Sequence, residues 1–477
     1  MKKILTLPLL ASMLLVASCS DKQPSKTKTP TPIPDTPVIT CPLCANLPTK
    51  PSIVHNPLPE HVPTTFDSST INMTELEIAK GVVTKTYTFT KNNGKKSEVV
   101  VTEIDLTKAN IAAGTKDNSL SSLAKATPYN QLLAYEQANP NHKVVAAINA
   151  DFFGGSSSVN AFVKDSVIIK DSHNDNGIYD YTNLSADLPA SMPMLFGISG
   201  TTAQIAPIIQ NATVEETIKS KLYYEITITK ENTSSSINEN IIFNNEEGSS
   251  TNLNVITSFT SYGTALEGSK VITIEKHKSD STRVHGKVTD ISEILGNSLY
   301  SANEDYFYII VPKNMTNTFE INDVISYNVT SKDETWKYFD TILGCRQALI
   351  IDGNIASTVS KENSNGAQTS NIPRTAIGIM PDGKVALFSV ESLRYGKKSS
   401  SENDPYGLSL PELADFMRYY GVYSGANFDG GGSTQLITLN PTTKELEVKV
   451  RSSDYGTSEL NNSRAVINTL LVYVKEE

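Results

Sequence analysis

The stretch VYSGANFDGGGSTQ, residues 422–435, joins a short apolar run to one carboxylate and three consecutive glycines. The run Val422 to Phe428 has the length and composition of a buried β-strand, and Asp429 follows at its end. Three glycines remove every Cβ from the turn, so its backbone can adopt left-handed angles and direct N–H groups toward one anion. The side chains of residues 433–435 add neutral donors. The sequence therefore predicts a turn that suits a phosphate or sugar oxygen.

The same turn has a plain structural interpretation, in which Asp429 caps the end of its strand. A third interpretation, a nucleoside triphosphate site, requires a Gly-Lys-Ser or Gly-Lys-Thr sequence at the glycines. Residues 430–435 read GGGSTQ and contain no lysine. The nucleotide P-loop is therefore excluded, and the structural and anion-binding interpretations stay open.

A second predicted strand ends in the same kind of pair. The stretch KVVAAINADFFGG, residues 143–155, is a continuous apolar run that ends in polar groups and two glycines. Its end presents Asn149 and Asp151. The first strand presents Asn427 and Asp429. Acetal cleavage needs one carboxyl group that protonates or stabilises and another that attacks or activates water. The two aspartates predict such a pair, and turn capping by each is the alternative.

Three arginines lie within or beside apolar runs: Arg346, Arg374 and Arg464. A charged group in such a setting is expected to be paired or functional. Guanidinium groups bind phosphodiester anions through paired N–H donors, which makes these arginines candidate phosphate ligands. A structural ion pair is the alternative for each of them.

Two hairpins are predicted from alternating runs with turn residues between them. Residues 85–90 and 97–106 flank an Asn-Asn-Gly turn, and residues 374–380 and 384–392 flank Pro-Asp-Gly. The section from about Gly200 to Asp340 also contains several alternating segments. It is interpreted either as a β-rich insertion between two halves of one domain or as a separate sandwich-like module.

Two helices complete the predicted fold. One follows Ser409, because Ser409 and Glu412 have the spacing of a capping box and Gly421 suits the residue after a helix. The other occupies the second half of residues 121–140 and stops before Pro140. The predicted class is α+β, with a β-rich mixed-sheet core, packing helices and a β-rich insertion or second module.

The N-terminal residues predict a secreted, lipid-anchored chain. Residues 1–18 combine a Lys-Lys start, an apolar run and small residues before Cys19, which is typical of a bacterial lipoprotein signal. Cleavage would leave Cys19 for lipidation, and an ordinary signal with an incidental cysteine is the alternative. Residues 19–70 contain a Pro- and Thr-rich tether. Residues 71–477 form the expected folded body, held at the cell envelope with the lipid in the membrane.

Cysteine spacing and charge limit the other function classes. Cys41 and Cys44 have the spacing of a redox motif or half a zinc site, but no second Cys/His pair follows, so a local disulfide is favoured. The net charge is −10 and the sequence pI is about 5.3, without a dense Lys/Arg stripe. This balance excludes a nucleic-acid partner, whose phosphates need a basic surface.

Five motifs together resemble the phosphodiester glycosidase family. They are AAINADFF (146–153), PRTAIGI (373–379), GLSLPELADFM (407–417), ANFDGGGSTQL (426–436) and SRAVINTLLVY (463–473). They occur in the family's order and approximate spacing, and the resemblance covers roughly residues 143–200 and 345–474. Ala150 and Cys345 stand where many relatives have glycine. The long insertion before PRTAIG and the loop of residues 394–407 also depart from the family, and these two differences concern the substrate more than the reaction.

The resemblance implies hydrolysis of a sugar 1-phosphodiester at the glycosidic bond, releasing a sugar and a phosphomonoester from cell-envelope or host glycans. Combined with the strand-end argument, it gives these candidate catalytic residues: Asp429, Asp151, Arg374, Asn149 and Glu391. The candidate substrate-binding residues are Asn427, Gly430, Gly431, Gly432, Ser433, Arg346 and Arg464. The two aspartates are expected to flank the anomeric carbon, while the arginines and glycine amides hold the phosphate. Glu412 is left out because the capping box already explains it.

Two other functions stay open at this stage. One is a surface glycan-binding or polysaccharide-assembly lipoprotein without turnover, and the other is a phosphodiesterase that breaks the P–O bond instead. The expected partners are a carbohydrate phosphodiester and the membrane. No cofactor is required by the sequence, although aspartate and glycine carbonyls also suit a hard cation such as Ca²⁺ or Mg²⁺.

Overall fold

The structure is a computed structural model of the chain. It describes residues 54–119, 124–154, 157–165, 167–170, 194–207, 224–230, 233, 235–237, 241–243, 251–256, 259–262, 266–276, 285–295, 298–301, 305–331, 336, 339–356, 359, 370–396, 398–399, 401 and 404–476. Cys19, Cys41, Cys44 and the tether up to residue 53 lie outside these ranges. The lipidation of Cys19, the disulfide between Cys41 and Cys44 and the extended tether therefore stay predictions. Fatty-acid labelling of the wild-type chain, compared with Cys19→Ala, would test the lipidation.

The described residues form two α-helices, α1 (Pro128–Ala138) and α2 (Leu410–Tyr420), and thirty strands. The strands are β1 (Phe66–Ala79), β2 (Val82–Lys91), β3 (Lys96–Ile104), β4 (Asn110–Gly114), β5 (His142–Asn149), β6 (Phe153–Gly154), β7 (Ser157–Ser158), β8 (Phe162–Lys164), β9 (Val167–Lys170), β10 (Met194–Ser199), β11 (Thr202–Pro207), β12 (Tyr224–Lys230), β13 (Ser235–Ile237), β14 (Ile241–Phe243), β15 (Leu253–Ile256), β16 (Phe259–Tyr262), β17 (Lys270–Lys276), β18 (His285–Glu293), β19 (Ser298–Ser301), β20 (Tyr306–Val311), β21 (Val324–Ser331), β22 (Thr341–Gly344), β23 (Ala348–Ile351), β24 (Asn354–Ile355), β25 (Arg374–Ile379), β26 (Val385–Val390), β27 (Ser424–Asn427), β28 (Leu436–Leu439), β29 (Leu446–Val450) and β30 (Thr469–Lys475).

Four larger sheets contain most of these strands. Sheet I has the order β1-β2-β3-β26-β25-β27-β23-β24, and sheet II has the order β29-β28-β5-β30-β4. Sheet III has the order β11-β10-β22-β8-β9, and sheet IV has the order β13-β12-β21-β18-β17-β20-β15-β14. The pairs β6-β7 and β16-β19 form two small ribbons.

Sheets I, II and III share one hydrophobic core. Val100 on β3, Ile148 on β5 and Phe196 on β10 belong to the same buried cluster. Ala150 directly follows β5 and Phe428 directly follows β27, and both belong to this cluster as well. The packing of apolar side chains in this core therefore sets the separation of the two strand ends.

Sheet IV is built from strands between residues 224 and 331. Ile228 on β12 and Phe307 on β20 pack with Leu195 of sheet III in a second buried cluster. Strands β10 and β22 are neighbours in sheet III. In the sequence, all strands of sheet IV lie between these two strands.

The predicted hairpins and helices are confirmed. The strand pairs β2-β3 and β25-β26 are antiparallel. Helix α2 has the reciprocal capping box of Ser409 and Glu412, and it ends at Gly421, whose φ of 96° is left-handed. Its apolar face, including Phe416, packs against sheet I around Phe388. Neither described helix has the length and apolarity that a bilayer span requires.

The described part of the chain is mostly β with two packing helices, which is loosely consistent with the predicted α+β class, whereas the predicted mixed sheet is wrong for the core formed by sheets I, II and III. The described strands of sheets I, II and III pair antiparallel. The parallel pair β14-β15 lies in sheet IV. Parallel neighbours need a long crossover, usually helical, whereas antiparallel neighbours can be joined by a tight turn such as Pro-Asp-Gly between β25 and β26.

Candidate active site

The two Asn-x-Asp strand ends meet in the structure. The backbone N–H of Asp429 donates to the carbonyl of Ala150 at 2.9 Å. The side-chain amide of Asn149 donates to the carbonyl of Asp429 at 2.7 Å. These bonds join the end of β5 in sheet II to the end of β27 in sheet I.

Asn149 also fixes the start of β25 beside this junction. Its Oδ1 accepts from the hydroxyl of Thr375 at 2.8 Å and from the N–H of Gln435 at 3.3 Å. The hydroxyl of Thr434 lies 3.3 Å from that of Thr375. Asn149 and Thr375 are fully buried, so this network anchors Thr434 and Gln435, which follow the three glycines, in the protein interior.

Close approach of neighbouring chains explains the glycines of the turn. Gly431 has a φ of 62°, in the left-handed region that glycine adopts without strain. A Cβ added at Gly432 would overlap the side chains of Asp454 and Arg464. A Cβ added at Gly430 would lie 2.8 Å from the carbonyl oxygen of Pro373.

The amides of the turn differ from the predicted anion clamp. The N–H of Gly430 donates to Oδ1 of Asp429 itself at 2.9 Å. The N–H of Gly431 donates to the carbonyl of Pro373 at 2.9 Å. Protein acceptors therefore engage two of the three amides that the sequence assigned to a substrate anion.

Asp429 is half-buried and electrostatically perturbed. Burial raises its pKa to about 6, and hydrogen bonding by Ser433 and the positive charges of Arg464 and Arg346 oppose that rise. Loss of water destabilises a carboxylate, whereas donors and cations stabilise it. Asp429 therefore combines a raised pKa with two nearby arginines, a combination that is typical of reactive carboxylates.

Asp151 lies deeper, with a side chain that is almost fully buried. Its Oδ2 accepts from the hydroxyl of Ser158 at 2.5 Å and from the N–H of Asn160 at 3.2 Å. Its Oδ1 accepts from the side-chain amide of Asn160. Burial raises its pKa to about 7, and these donors oppose the rise. Burial and the charge of Asp151 also raise the pKa of the nearby thiol of Cys345.

The three arginines occupy different environments. Arg374 is buried and donates to the carbonyls of Leu408 and Ser370 at 3.0 and 3.1 Å, and burial lowers its pKa to about 10. The guanidinium of Arg346 lies 4.8 Å from the ring centre of Phe152. Arg464 and Arg346 act electrostatically on Asp429.

Arg464 lies at the outer side of the turn. Its Nε donates to Asp454 Oδ2 at 2.7 Å, and its Nη1 donates to the hydroxyl of Ser433 at 3.4 Å. The side chains of Arg464 and Asp454 are 40% and 33% exposed. Exposed ion pairs contribute little stability, so a substrate anion can displace Asp454 from Arg464 at small cost.

The side chains of two predicted site residues, Glu391 and Asn427, bind protein partners. Glu391 is buried and accepts from Arg451 through both carboxylate oxygens, at 2.9 and 2.6 Å. The side-chain amide of Asn427 donates to Gln347 Oε1 at 3.0 Å. Glu412 forms its capping box and also lies 3.2 Å from Lys91 Nζ.

Several residues near Asp151 and the glycine turn were not predicted from the sequence. Asn468 accepts from the N–H of Asp151 at 2.9 Å, and Thr375, Asp454 and Tyr395 border the turn. Asn468 and Thr375 lie inside the motifs SRAVIN and PRTA, where a polar residue beside an apolar run was a usable signal. Asp454 and Tyr395 lie in loops and carried no comparable signal.

The described residues contain no cluster of three or more His, Cys, Asp or Glu side chains that could hold a metal ion. The polar groups at the turn are one carboxylate, one hydroxyl and two guanidinium groups. The two positive charges favour an anionic substrate over a hard cation, which needs several oxygen ligands.

The phosphodiester glycosidase family model matches residues 281–473. This segment includes Asp429, Arg374 and Arg464, whereas Asn149 and Asp151 precede it. No curated protein matches the chain.

Solved structures show similar folds at low identity. A hypothetical protein from Synechocystis is 16% identical with a TM-score of 0.52, and the match covers 85% of this chain and 64% of that one. An exported protein of Burkholderia pseudomallei is 12% identical with a TM-score of 0.52, over 88% of this chain and 99% of that one. At these identities the likeness concerns the fold.

The chain is also similar to the zebrafish N-acetylglucosamine-1-phosphodiester alpha-N-acetylglucosaminidase catalytic domain, auto-inhibited by its pro-peptide. The identity is 12% and the TM-score is 0.38, over 89% of this chain and 95% of that one. The family match supports a hydrolase of glycosidic bonds with a carbohydrate-type substrate. Residues 281–473 of this chain are therefore similar to the phosphodiester glycosidase domain.

Proposed function

We propose that this chain hydrolyses a sugar 1-phosphodiester at the glycosidic bond, releasing the free sugar and a phosphomonoester. One observation carries the proposal: Asp429 stands at a half-buried turn, with a raised pKa, under the charges of Arg464 and Arg346. In such a site the carboxylate can act on the anomeric carbon of the sugar, while the two arginines bind the phosphate. The proposed substrates are carbohydrate phosphodiesters of the cell envelope or of host glycans.

In the proposed reaction, the bond between the anomeric carbon and the phosphate oxygen breaks, and its electron pair leaves with the phosphate. Water supplies a hydroxyl to the anomeric carbon and one proton to the products. Asp429 acts in its ionised form, either attacking the anomeric carbon or activating the water. Phosphate is a good leaving group, so electrostatic stabilisation by arginines contributes more than protonation of the leaving oxygen.

Arg464 is the proposed main phosphate ligand, assisted by Arg346. Its exposed pair with Asp454 can open, and its contact with the Ser433 hydroxyl keeps its guanidinium beside the turn. Arg374 is assigned a supporting role because its Nε and Nη2 donate to the backbone carbonyls of Leu408 and Ser370. Asp151 is assigned to positioning, since protein donors occupy its carboxylate.

Hydrolysis in ¹⁸O-labelled water distinguishes the two bonds that could break. We expect the label in the released sugar, because water attacks the anomeric carbon. The test uses purified protein and an aryl phosphodiester of a hexose 1-phosphate, with mass spectrometry of both products. Label in the phosphate would instead show P–O cleavage. Binding of this compound without any release would favour the glycan-binding alternative.

The pH dependence should follow Asp429. Its pKa is raised to about 6, so its ionised form is depleted below that pH. We expect kcat/KM to fall about tenfold per pH unit below 6 and to level off above it, because the free enzyme needs the carboxylate. Rates measured from pH 4 to 9 at constant ionic strength test this. A profile that declines above pH 6 would mean that the protonated form is active.

A further inference from the structure

An exposed aromatic ring covers the glycine turn. The Cε1 atom of Tyr395 lies 3.3 Å from the position that a Cβ would occupy at Gly431, and its hydroxyl oxygen and Cζ lie 3.7 and 3.8 Å from it. The residue is nevertheless 51% exposed. One part of the tyrosine therefore packs on the turn that follows Asp429, while the rest faces solvent.

The loop that carries Tyr395 is held at several points. The N–H of Lys398 donates to the carbonyl of Leu393 at 2.9 Å. Arg394 donates to the carbonyl of Asp404 at 3.0 Å, and its guanidinium lies 4.5 Å from the ring centre of Tyr406. Gly396 lies so close to the carbonyl of Ser453 that a side chain would not fit. These contacts restrain the backbone around Tyr395, which lowers the entropy lost when its ring binds a ligand.

The sugar of the proposed substrate has a defined direction relative to this ring. Its anomeric carbon must face Asp429, and its phosphate must meet Arg464, which contacts Ser433 at the far end of the turn. The remaining atoms of a pyranose then extend beside residues 430 and 431. Tyr395 is the exposed aromatic residue that contacts this part of the turn among the described residues.

We propose that Tyr395 is the stacking platform for the sugar ring and thereby sets the enzyme's affinity for the glycosyl group. An aromatic face with an adjacent hydroxyl suits a pyranose, which presents an apolar C–H face and a polar rim. This inference rests on the proposed function, because it places the anomeric carbon at Asp429. The inference adds Tyr395 to the site as a specificity-determining residue. The tyrosine ring contacts the sugar and not the group on the other side of the phosphate.

Three variants test the platform: Tyr395→Ala, Tyr395→Phe and Tyr455→Ala. Tyr455 is 45% exposed on a neighbouring loop, which makes it a matched control. For an aryl phosphodiester of a hexose 1-phosphate, we expect Tyr395→Ala to raise KM about tenfold with less than a twofold fall in kcat. Tyr395→Phe keeps the ring and should return KM to within about threefold of the wild-type value. Tyr455→Ala should change KM by less than about twofold.

Binding measurements separate this inference from the proposed reaction. Calorimetric titration with the hexose 1-phosphate and with methyl phosphate, which lacks the sugar, needs no turnover. We expect Tyr395→Ala to weaken binding of the hexose 1-phosphate about tenfold and to leave binding of methyl phosphate as in the wild-type protein. Equal losses for both ligands, or no loss for either, would overturn the platform. If the wild-type protein binds the hexose 1-phosphate without turning over the phosphodiester, and Tyr395→Ala weakens that binding alone, the reaction is refuted and the platform is kept.

Discussion

Asp429→Asn is expected to lower kcat for a sugar 1-phosphodiester by about 10³-fold. Asparagine keeps the shape of the side chain and an oxygen that can accept from the N–H of Gly430. It removes the negative charge that attacks the anomeric carbon or activates water. The measurement is steady-state release of the sugar by the wild-type and variant proteins, with circular dichroism as the check on folding.

The thermal midpoint of Asp429→Asn should stay equal to or above that of the wild-type protein at pH 7. Burial raises the pKa of Asp429 to about 6 in the folded chain, above the usual aspartate value. The folded state therefore binds a proton more tightly than the unfolded state, and this group's contribution to stability falls as the pH rises from about 4 to 6. Removing the charge relieves that cost at neutral pH.

The control for Asp429→Asn is Asp382→Asn. Asp382 lies in the β25-β26 turn, at the opposite end of the hairpin from Arg374, with a side chain that is 54% exposed. Its replacement should change neither kcat nor the thermal midpoint measurably. Wild-type turnover by Asp429→Asn would remove Asp429 from the catalytic assignment, whatever the control shows.

Asp151→Ala is expected to destabilise the chain by about 3 kcal/mol and to lower kcat/KM by about 10²-fold. The change leaves the N–H and the side-chain amide of Asn160 without their acceptor in a buried site. Each such group costs about 1–3 kcal/mol, and relief of the buried charge offsets part of this. The backbone at residue 151 would then move relative to Asn160, and with it Ala150, whose carbonyl accepts from the N–H of Asp429. Urea unfolding and sugar release measure the two effects.

Asp151→Asn distinguishes positioning from chemistry at this carboxylate. The amide oxygen can still accept from Asn160, and the amide nitrogen can donate to the hydroxyl of Ser158, which already lies 3.1 Å from the carbonyl of Asn160. If Asp151 positions the loop, Asp151→Asn should retain at least a tenth of wild-type kcat/KM and most of the stability. A stable Asp151→Asn variant without turnover would restore the second catalytic carboxylate that the sequence predicts.

Local elements were predicted well because their causes are local. The capping box of Ser409 and Glu412, the left-handed Gly421 and the hairpin of β25 and β26 depend on residues within a few positions of one another. The strand ends at Asn149 and near Asp429 were predicted for the same reason. The mixed sheet was wrong because strand direction depends on connections across the whole chain, which composition does not encode.

The partners of the candidate site residues were less predictable. Nothing near Glu391 in the sequence indicates that Arg451, 60 positions later, binds both of its oxygens. Likewise, the pairing of Asn427 with Gln347 spans 80 positions. A polar residue beside an apolar strand has one sequence signature whether it meets a substrate or another side chain.

The sequence by itself determined the two Asn-x-Asp strand ends, the glycine turn and the similarity of residues 281–473 to the phosphodiester glycosidase family. Only the tertiary structure decided that these ends join through Ala150 and Asn149, and that Asp429 stays half-buried while Asp151 is enclosed by Ser158 and Asn160. The physical reason is that desolvation and long-range hydrogen bonds distinguish two chemically identical carboxylates. Both depend on which strands pack into the shared core of sheets I, II and III.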